Sequence, residues 1–511
     1  MTTETLPSIR DLIGPAATGS DAELTLASII DGRGVDASEL LAPRISPATG
    51  RVLFHAGDVT EAAVPAAVAA ARAEVDEGEW GRSTGRTRSK VMWKTAEIID
   101  GARAAFAALI VAETGKPLTE AEGEVAATVN AFEYFAGLAR DVGGRTIRDI
   151  DRNLFAFTIR EPAGVAGLLI PWNFPMAILG QKLPAALAAG CAAVIKPSPF
   201  TPLSSLAVVN ALLQAGLPPA AAAVVLGDAA VGAAVVEHPD VDVISFTGST
   251  PTGRAIAATA GKNRLKRVAM EAGGKTPVIV LADADLDRAV ERILFHSFFN
   301  QGQVCVAGSR ILAERAIADE LGARVAHRAA AIRLGDPYDP RTQMGPLISE
   351  AHFTTVQTSV DKAREQGATL LTGGAEAAPA DTTARPFLAP TVLSTEADDN
   401  LAVTGELFGP VTVIQPFTDL ADAVHRANSS EFGLAASVWT SNLEAALLVT
   451  ESLKTGTVWI NGSTDSHPEI PLGGRRDSGY GAEFGREGME FFTDIKTVHI
   501  ARQATEAWYL S

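Results

Sequence analysis

Residues 165–199 read VAGLLIPWNFPMAILGQKLPAALAAGCAAVIKPSP. An apolar run leads into a proline turn, then into an alanine- and leucine-rich segment near 180–190 closed by Gly190, then into a second apolar run. Short continuous apolar runs bounded by turn residues are the pattern of strands buried on both faces. The rhythm continues downstream. Apolar runs recur at 222–226, 243–246 and 268–270, with helical segments near 202–214, 230–237 and 250–261. Strand alternating with helix predicts an α/β fold with a doubly wound parallel sheet. Such sheets bind ligands outside the carboxyl ends of their strands.

A second α/β block spans about 277–459, with strands expected at 277–281 and 309–312 and a helix over 285–299. Two segments stand outside this rhythm. Residues 144–160 alternate polar and apolar positions, and 496–501 (KTVHIA) read as a short terminal strand. A projecting hairpin paired with that strand would make a natural subunit contact. Upstream, Thr60 is a candidate cap for a helix reaching about Val75. A helical region is expected over 86–114, stopped by Gly115 and Pro117, and another over 118–140. Residues 1–40 read as a loose arm.

The chain has 511 residues, enough for two to four domains. Its 47% hydrophobic and 20% charged content suits a globular protein and not a disordered one. Two cysteines without a Cys-x-x-Cys pair exclude a disulfide framework and a zinc ribbon, and no metal site is expected. A net charge of −17 opposes binding to nucleic acid and to anionic membranes. The N-terminus has no basic, apolar leader pattern, and the apolar stretches at 165–180 and 220–236 are too interrupted to span a bilayer. A cytoplasmic protein is expected.

Four places carry chemistry. Cys305 follows a predicted helix and a turn of Asn, Gln and Gly, surroundings that present a side chain to a cleft. A nucleophilic cysteine needs that access, whereas Cys191, at the head of a buried strand, reads as a small hydrophobe. Glu271 directly follows the 268–270 strand; it is either a general base or a turn carboxylate paired with Lys275. Asn173 sits in a rigid proline turn after a strand, where its amide either donates to an oxyanion or caps the turn. Gly248 and Gly253 flank a strand-to-helix turn whose N–H groups could hold a pyrophosphate.

IPWNFP, FTGST, MEAGGK, FFNQGQVC, ELFGPV and PLGGRRDSGYG occur in that order at 170–175, 246–250, 270–275, 298–305, 406–411 and 471–481. Together they closely resemble the NAD(P)-dependent aldehyde dehydrogenase superfamily, from about residue 46 to 498. The resemblance implies a Rossmann-type cofactor domain (41–143 and 163–274) after an extension (1–40), and a catalytic domain (275–484). It further implies a small β oligomerisation element (144–162 and 485–511), with a homodimer or homotetramer as the assembly.

It also implies roles. Cys305 would attack the aldehyde, Asn173 and the Cys305 N–H would hold the oxyanion, and Glu271 would activate the water that hydrolyses the thioester. Glu483 matches an acid that relays protons, and Lys182 an auxiliary lysine. Ile170, Pro171, Trp172, Lys196, Ser198, Pro199, Gly248, Ser249, Glu406 and Phe408 match cofactor positions. Pro199 replaces a glutamate of many NAD-preferring members, so NAD is expected, with NADP or dual use open. Trp172, Phe174, Ile178, Gln181, Val304 and Leu472 match substrate positions, a mostly apolar set that favours an uncharged or weakly polar aliphatic or aromatic aldehyde.

Three other classes compete. A CoA-acylating semialdehyde dehydrogenase would share the fold, but Glu271 favours hydrolysis. A non-catalytic structural relative would have no need of Cys305, Asn173 and Glu271 together. A P-loop or Rossmann enzyme of other chemistry lacks its glycine fingerprints here.

Overall fold

The computed structural model describes residues 24–35, 39–40, 42–58, 63–148, 150–374, 377 and 386–502. β1 (Val165–Ile170) passes through the proline turn into α1 (Pro175–Ala189). Gly190 ends that helix in the left-handed conformation, at φ 97°, where a residue without Cβ is favoured, and β2 (Ala192–Pro197) follows. The pattern continues through α2 (Pro202–Ala215), β3 (Ala222–Val224), α3 (Ala229–Glu237), β4 (Val243–Thr247), α4 (Thr250–Ala260) and β5 (Arg267–Glu271). These five strands are parallel and lie in the order β5-β4-β1-β2-β3. Every residue of β1 and β2 is buried, which is why both read as unbroken apolar runs. The winding reverses at β1, so a crevice opens between the carboxyl ends of β1 and β4.

Both edges of this sheet are extended by distant chain. Gly479–Tyr480 pairs antiparallel with β5, placing Gly479 opposite Glu271. Ser28–Ile30 pairs with β3, and Arg33–Val35 pairs with Ser28–Ile30. Residues 28–35 are thus a sheet edge, not the loose arm expected. Ile29 and Ile30 are buried there, and the Ser28 hydroxyl accepts the Leu226 N–H at 2.9 Å. Thr25–Leu26 and Glu39–Leu40 of the expected arm pair with Val52–Asp58, while residues 1–23 and 36–38 and the candidate cap Thr60 lie outside the described residues.

A seven-stranded sheet carries the second α/β block. Six of its strands run parallel and only Thr369–Gly374 is antiparallel. The third element pairs Thr493–Ala501 with Leu154–Pro162 along its whole length, with Thr146–Ile147 on the far side. The region expected as one helix over 86–114 is two, Gly85–Gly101 and Arg103–Thr114, broken at Ala102 (φ −113°). Gly101 weakens the helix there. No described helix is long and apolar enough to cross a membrane.

Candidate active site

The helix Leu286–Phe298 is N-capped by Asp285 and ends at a tight turn. Asn300, Gln301 and Gly302 in this turn all have positive φ, 50°, 56° and 67°. A non-glycine residue held there costs about 1–3 kcal/mol and persists only where its surroundings over-determine it. They do so here. A Cβ at Gly302 would come within 2.1 Å of the Gly409 carbonyl. Asn300 Nδ2 donates to the Asn173 carbonyl at 2.9 Å and to the Gln303 carbonyl at 3.2 Å. The turn delivers Cys305, which is half-buried.

Asn173 is buried in the loop after β1, and its Nδ2 donates to the Gln303 carbonyl at 3.0 Å. The two loops therefore clasp each other by both amides. Asn173 does not cap α1; the cap position is Phe174, which makes no side-chain cap bond. An amide held by one N–H is a fixed donor through its other. Burial, with the Glu271 and Glu406 carboxylates, pushes the Cys305 thiol up to about 12. The resting group is a thiol. Cys191 is buried and its Sγ donates to the Phe492 carbonyl at 3.2 Å, as suits a core residue.

Glu271 ends β5 at the crevice. It makes no ion pair with Lys275, and its buried Oε1 has no hydrogen-bond partner among the described residues. Burial and the Glu483 charge hold its carboxyl well above the usual range, against Lys182. Lys182 in turn pairs with Glu483 and donates to the Ser245 hydroxyl at 2.9 Å. The Lys182 ammonium thus serves the Glu483 ion pair directly and opposes the raised Glu271 carboxyl by its charge. Leu472 and Glu483 exchange two backbone hydrogen bonds, which fixes the second acid in place.

Across the crevice the cofactor candidates form a second group. Lys196 is buried at the end of β2, and burial lowers its ammonium to about 8 against the opposing Asp228 charge. Asp228 caps α3 and Ser249 caps α4, so two helix N-termini meet the same rim. The Gly248 N–H is taken up by the Glu271 carbonyl at 3.0 Å and is not a phosphate donor. Ser198 accepts the Phe200 N–H at 3.2 Å. Pro199 and Asp228 share a cavity of about 590 Å³ with Arg44 and Phe200. Glu406 accepts the Gly274 N–H at 2.9 Å, and burial raises it to about 7. Phe408 has φ 55°, and His352 Nε2 donates to its carbonyl at 2.7 Å. Trp172 packs edge-on against both Phe408 and His352, at 5.4 Å and 5.5 Å. A buried ammonium, the N-terminus of α4 and a carboxylate acceptor are a set that fits a dinucleotide.

Phe174 stacks on Phe299 at 5.7 Å, and Phe299 lies 4.8 Å from Phe295, which is 42% exposed. This aromatic run leads from beside Asn173 to solvent. Ile178 and Gln181 lie on α1, while Val304 is buried next to Cys305. Ile170 and Pro171 mark the end of β1.

Sequence reasoning missed Lys116, Glu120, Glu124, Asn300 and His352. Lys116 was absorbed into a helix stop. The available signal was Glu120 and Glu124, four residues apart on the helix Leu118–Leu138, among positions that otherwise carry buried apolar side chains.

Residues 35–498 match the aldehyde dehydrogenase family. The chain is 39% identical over 461 residues to the mitochondrial aldehyde dehydrogenase of Sus scrofa, covering 90% of this chain and 88% of that protein. It is 39% identical over 483 residues to a mitochondrial benzaldehyde dehydrogenase of Antirrhinum majus, covering 94% and 89%. A betaine aldehyde dehydrogenase mutant of Staphylococcus aureus, solved in complex with NAD+ and with a BME-modified cysteine, superposes with a TM-score of 0.92. It is 35% identical, covering 96% of this chain and 98% of that one.

Proposed function

This chain belongs to the aldehyde dehydrogenase family, and on that premise we propose how its own residues turn an aldehyde into a carboxylic acid. It is an NAD-dependent oxidoreductase that works through a cysteine thioester. Cys305, half-buried, gives up its proton to solvent, and its sulfur attacks the carbonyl carbon. The carbonyl oxygen becomes an oxyanion, held by Asn173 Nδ2 and the Cys305 N–H. Bound NAD supplies the hydride acceptor that converts this adduct into a thioester. Lys196 would hold the adenosine ribose, the Ser249-capped terminus of α4 would hold the pyrophosphate, and Glu406 would accept from ribose hydroxyls. Glu271 then takes a proton from water. The resulting hydroxide attacks the thioester, the C–S bond breaks, and the acid leaves as the Cys305 thiolate takes up a proton and returns to the resting thiol. Glu483, held by Lys182, takes the proton onward from Glu271.

The observation that carries this course is Glu271. A buried carboxylate oxygen without a partner, on a group whose charge acts on Cys305, is a base poised for water. The test is acid formation from an aldehyde panel with and without CoA. Acid formation without CoA is expected; a strict need for CoA would overturn hydrolysis.

The substrate in this proposal is an uncharged or weakly polar aliphatic or aromatic aldehyde. The Phe174–Phe299–Phe295 run and the similarity to a benzaldehyde dehydrogenase support it. For NAD against NADP, Asp228 sets a negative charge beside Pro199 and Lys196, which disfavours a 2′-phosphate and supports NAD. Pro199→Glu adds a second such charge. Its NAD-to-NADP ratio of dissociation constants, measured by calorimetry, is expected to move about tenfold toward NAD; an unchanged ratio would refute this.

We assign 41–143 with 163–274 to cofactor binding, 275–484 to catalysis, and 144–162 with 485–511 to assembly as a homodimer or homotetramer. In the last element, Ile495 and Ile500 are 62% and 47% exposed on an edge strand, which supports a subunit contact. Residues 503–511 lie outside the described residues. Two free thiols fit a reducing compartment, the cytoplasm in this proposal.

A further inference from the structure

Lys116 has a fully buried side chain, an unusual place for an ammonium. Its Nζ lies 2.5 Å from Glu124 Oε2 and 3.9 Å from the centre of the Phe174 ring, and it donates to the Asn173 carbonyl at 2.9 Å. Glu124 turns its other oxygen to the first turn of α1. It accepts the Met176 N–H at 2.9 Å and the Ala177 N–H at 3.1 Å. Glu120, one helical turn earlier, accepts the Asn300 N–H at 3.0 Å. Burial raises Glu120 to about 8, with Lys116 opposing and Glu124 adding to the rise. Asn300 closes the circuit through its own bond to the Asn173 carbonyl.

The network thus grips residues 173–177 and 300 from the helix Leu118–Leu138 and from Lys116 in the link just before it. It holds the Asn173 peptide through its carbonyl, by an ammonium and an amide together. It also binds the nucleophile turn at the strained residue that precedes Cys305. A buried ion pair is a poor source of stability, because desolvation offsets its attraction. A buried ion pair whose cation donates to the backbone of the oxyanion donor has another use. It fixes the direction of that donor, and a fixed donor costs no reorganisation when the charge develops.

We infer that Lys116, held by Glu124, is the positioning residue for the oxyanion donor Asn173. It acts through the Asn173 peptide and touches neither substrate nor cofactor. The inference rests on the proposed role of Asn173, and the test separates the two.

The variant is Lys116→Met with Glu124→Gln. It removes both charges of the ion pair together and keeps the length of both side chains. The readouts are the rate constant of the first turnover of NADH formation, aldehyde KM, and NAD binding by calorimetry. The first-turnover rate is expected to fall about 10- to 100-fold, with KM and NAD affinity within threefold of wild type. Asn173→Ala is measured alongside and is expected to fall about 100- to 1,000-fold. The triple variant should be no slower than Asn173→Ala alone, because Lys116 acts only through Asn173. A double variant with wild-type first turnover, or a triple variant whose losses multiply, overturns the inference. So does a double variant that no longer binds NAD, since the pair then serves folding. If Asn173→Ala itself turns over normally, it is the oxyanion assignment that falls.

Discussion

Cys305→Ala is expected to form no NADH above about one thousandth of the wild-type rate, while binding NAD with wild-type affinity. The nucleophile cannot be replaced from nearby. The other cysteine, Cys191, is buried in the core, where its Sγ donates to the Phe492 carbonyl. The substitution removes little else, because the strained turn is held by Asn300 and Gly302 and not by the Cys305 side chain. The cofactor groups, Lys196 and the cap of α4, lie at other strand ends and keep their geometry. Alkylation sharpens the test. Wild type should take up one equivalent of iodoacetamide and lose activity in step, and the variant should take up none. Turnover retained by the variant would remove Cys305 from the chemistry.

Glu271→Gln is expected to give one rapid turnover of NADH followed by a steady rate about 100- to 10,000-fold below wild type. The first turnover survives for an electrostatic reason. The Glu271 carboxylate is one of the charges that raise the Cys305 thiol, so neutralising it makes the thiolate easier to form. Hydrolysis does not survive, because the amide takes no proton from water. The pH dependence has a definite sign. Glu271 acts as a base only when ionised, and burial with Glu483 holds its carboxyl well above the ordinary range. The wild-type steady rate should therefore fall as pH drops through that raised value, on the acid side of the profile. The variant should lose that limb. A steady rate equal to wild type would rule out Glu271 as the base.

Much of this architecture is legible in the chain because strands buried on both faces leave an apolar signature. Asn173 and Glu271 are legible as candidates because each follows such a strand, and strand ends are where parallel sheets bind ligands. Partnerships are another matter. Lys182 and Glu483 meet across 301 positions, and no local pattern relates them. Lys116 and Glu124 were hidden by the rule that such residues face water. Nothing nearby in sequence says that their counter-charges are each other. The edge strand at 28–30 is only three residues long, too short for a period to show. The break at Ala102 has no proline to announce it. Gly248 shows the opposite failure, a glycine in the right turn whose N–H is already bonded to Glu271.

The late closure of the first sheet also has a consequence for biosynthesis. β5 carries the base, yet its outer edge is covered by Gly479–Tyr480, and the Ser478 hydroxyl reaches back 205 positions to the Gly273 carbonyl. Met489 and Phe492 fill the same apolar core as α1 and β1. A ribosome therefore exposes the first sheet long before it supplies the residues that finish it, and the growing chain carries an uncovered strand edge through that interval. A chain cut short before residue 483 would hold its thiol, its amide donor and its base, but not the acid that pairs with Lys182.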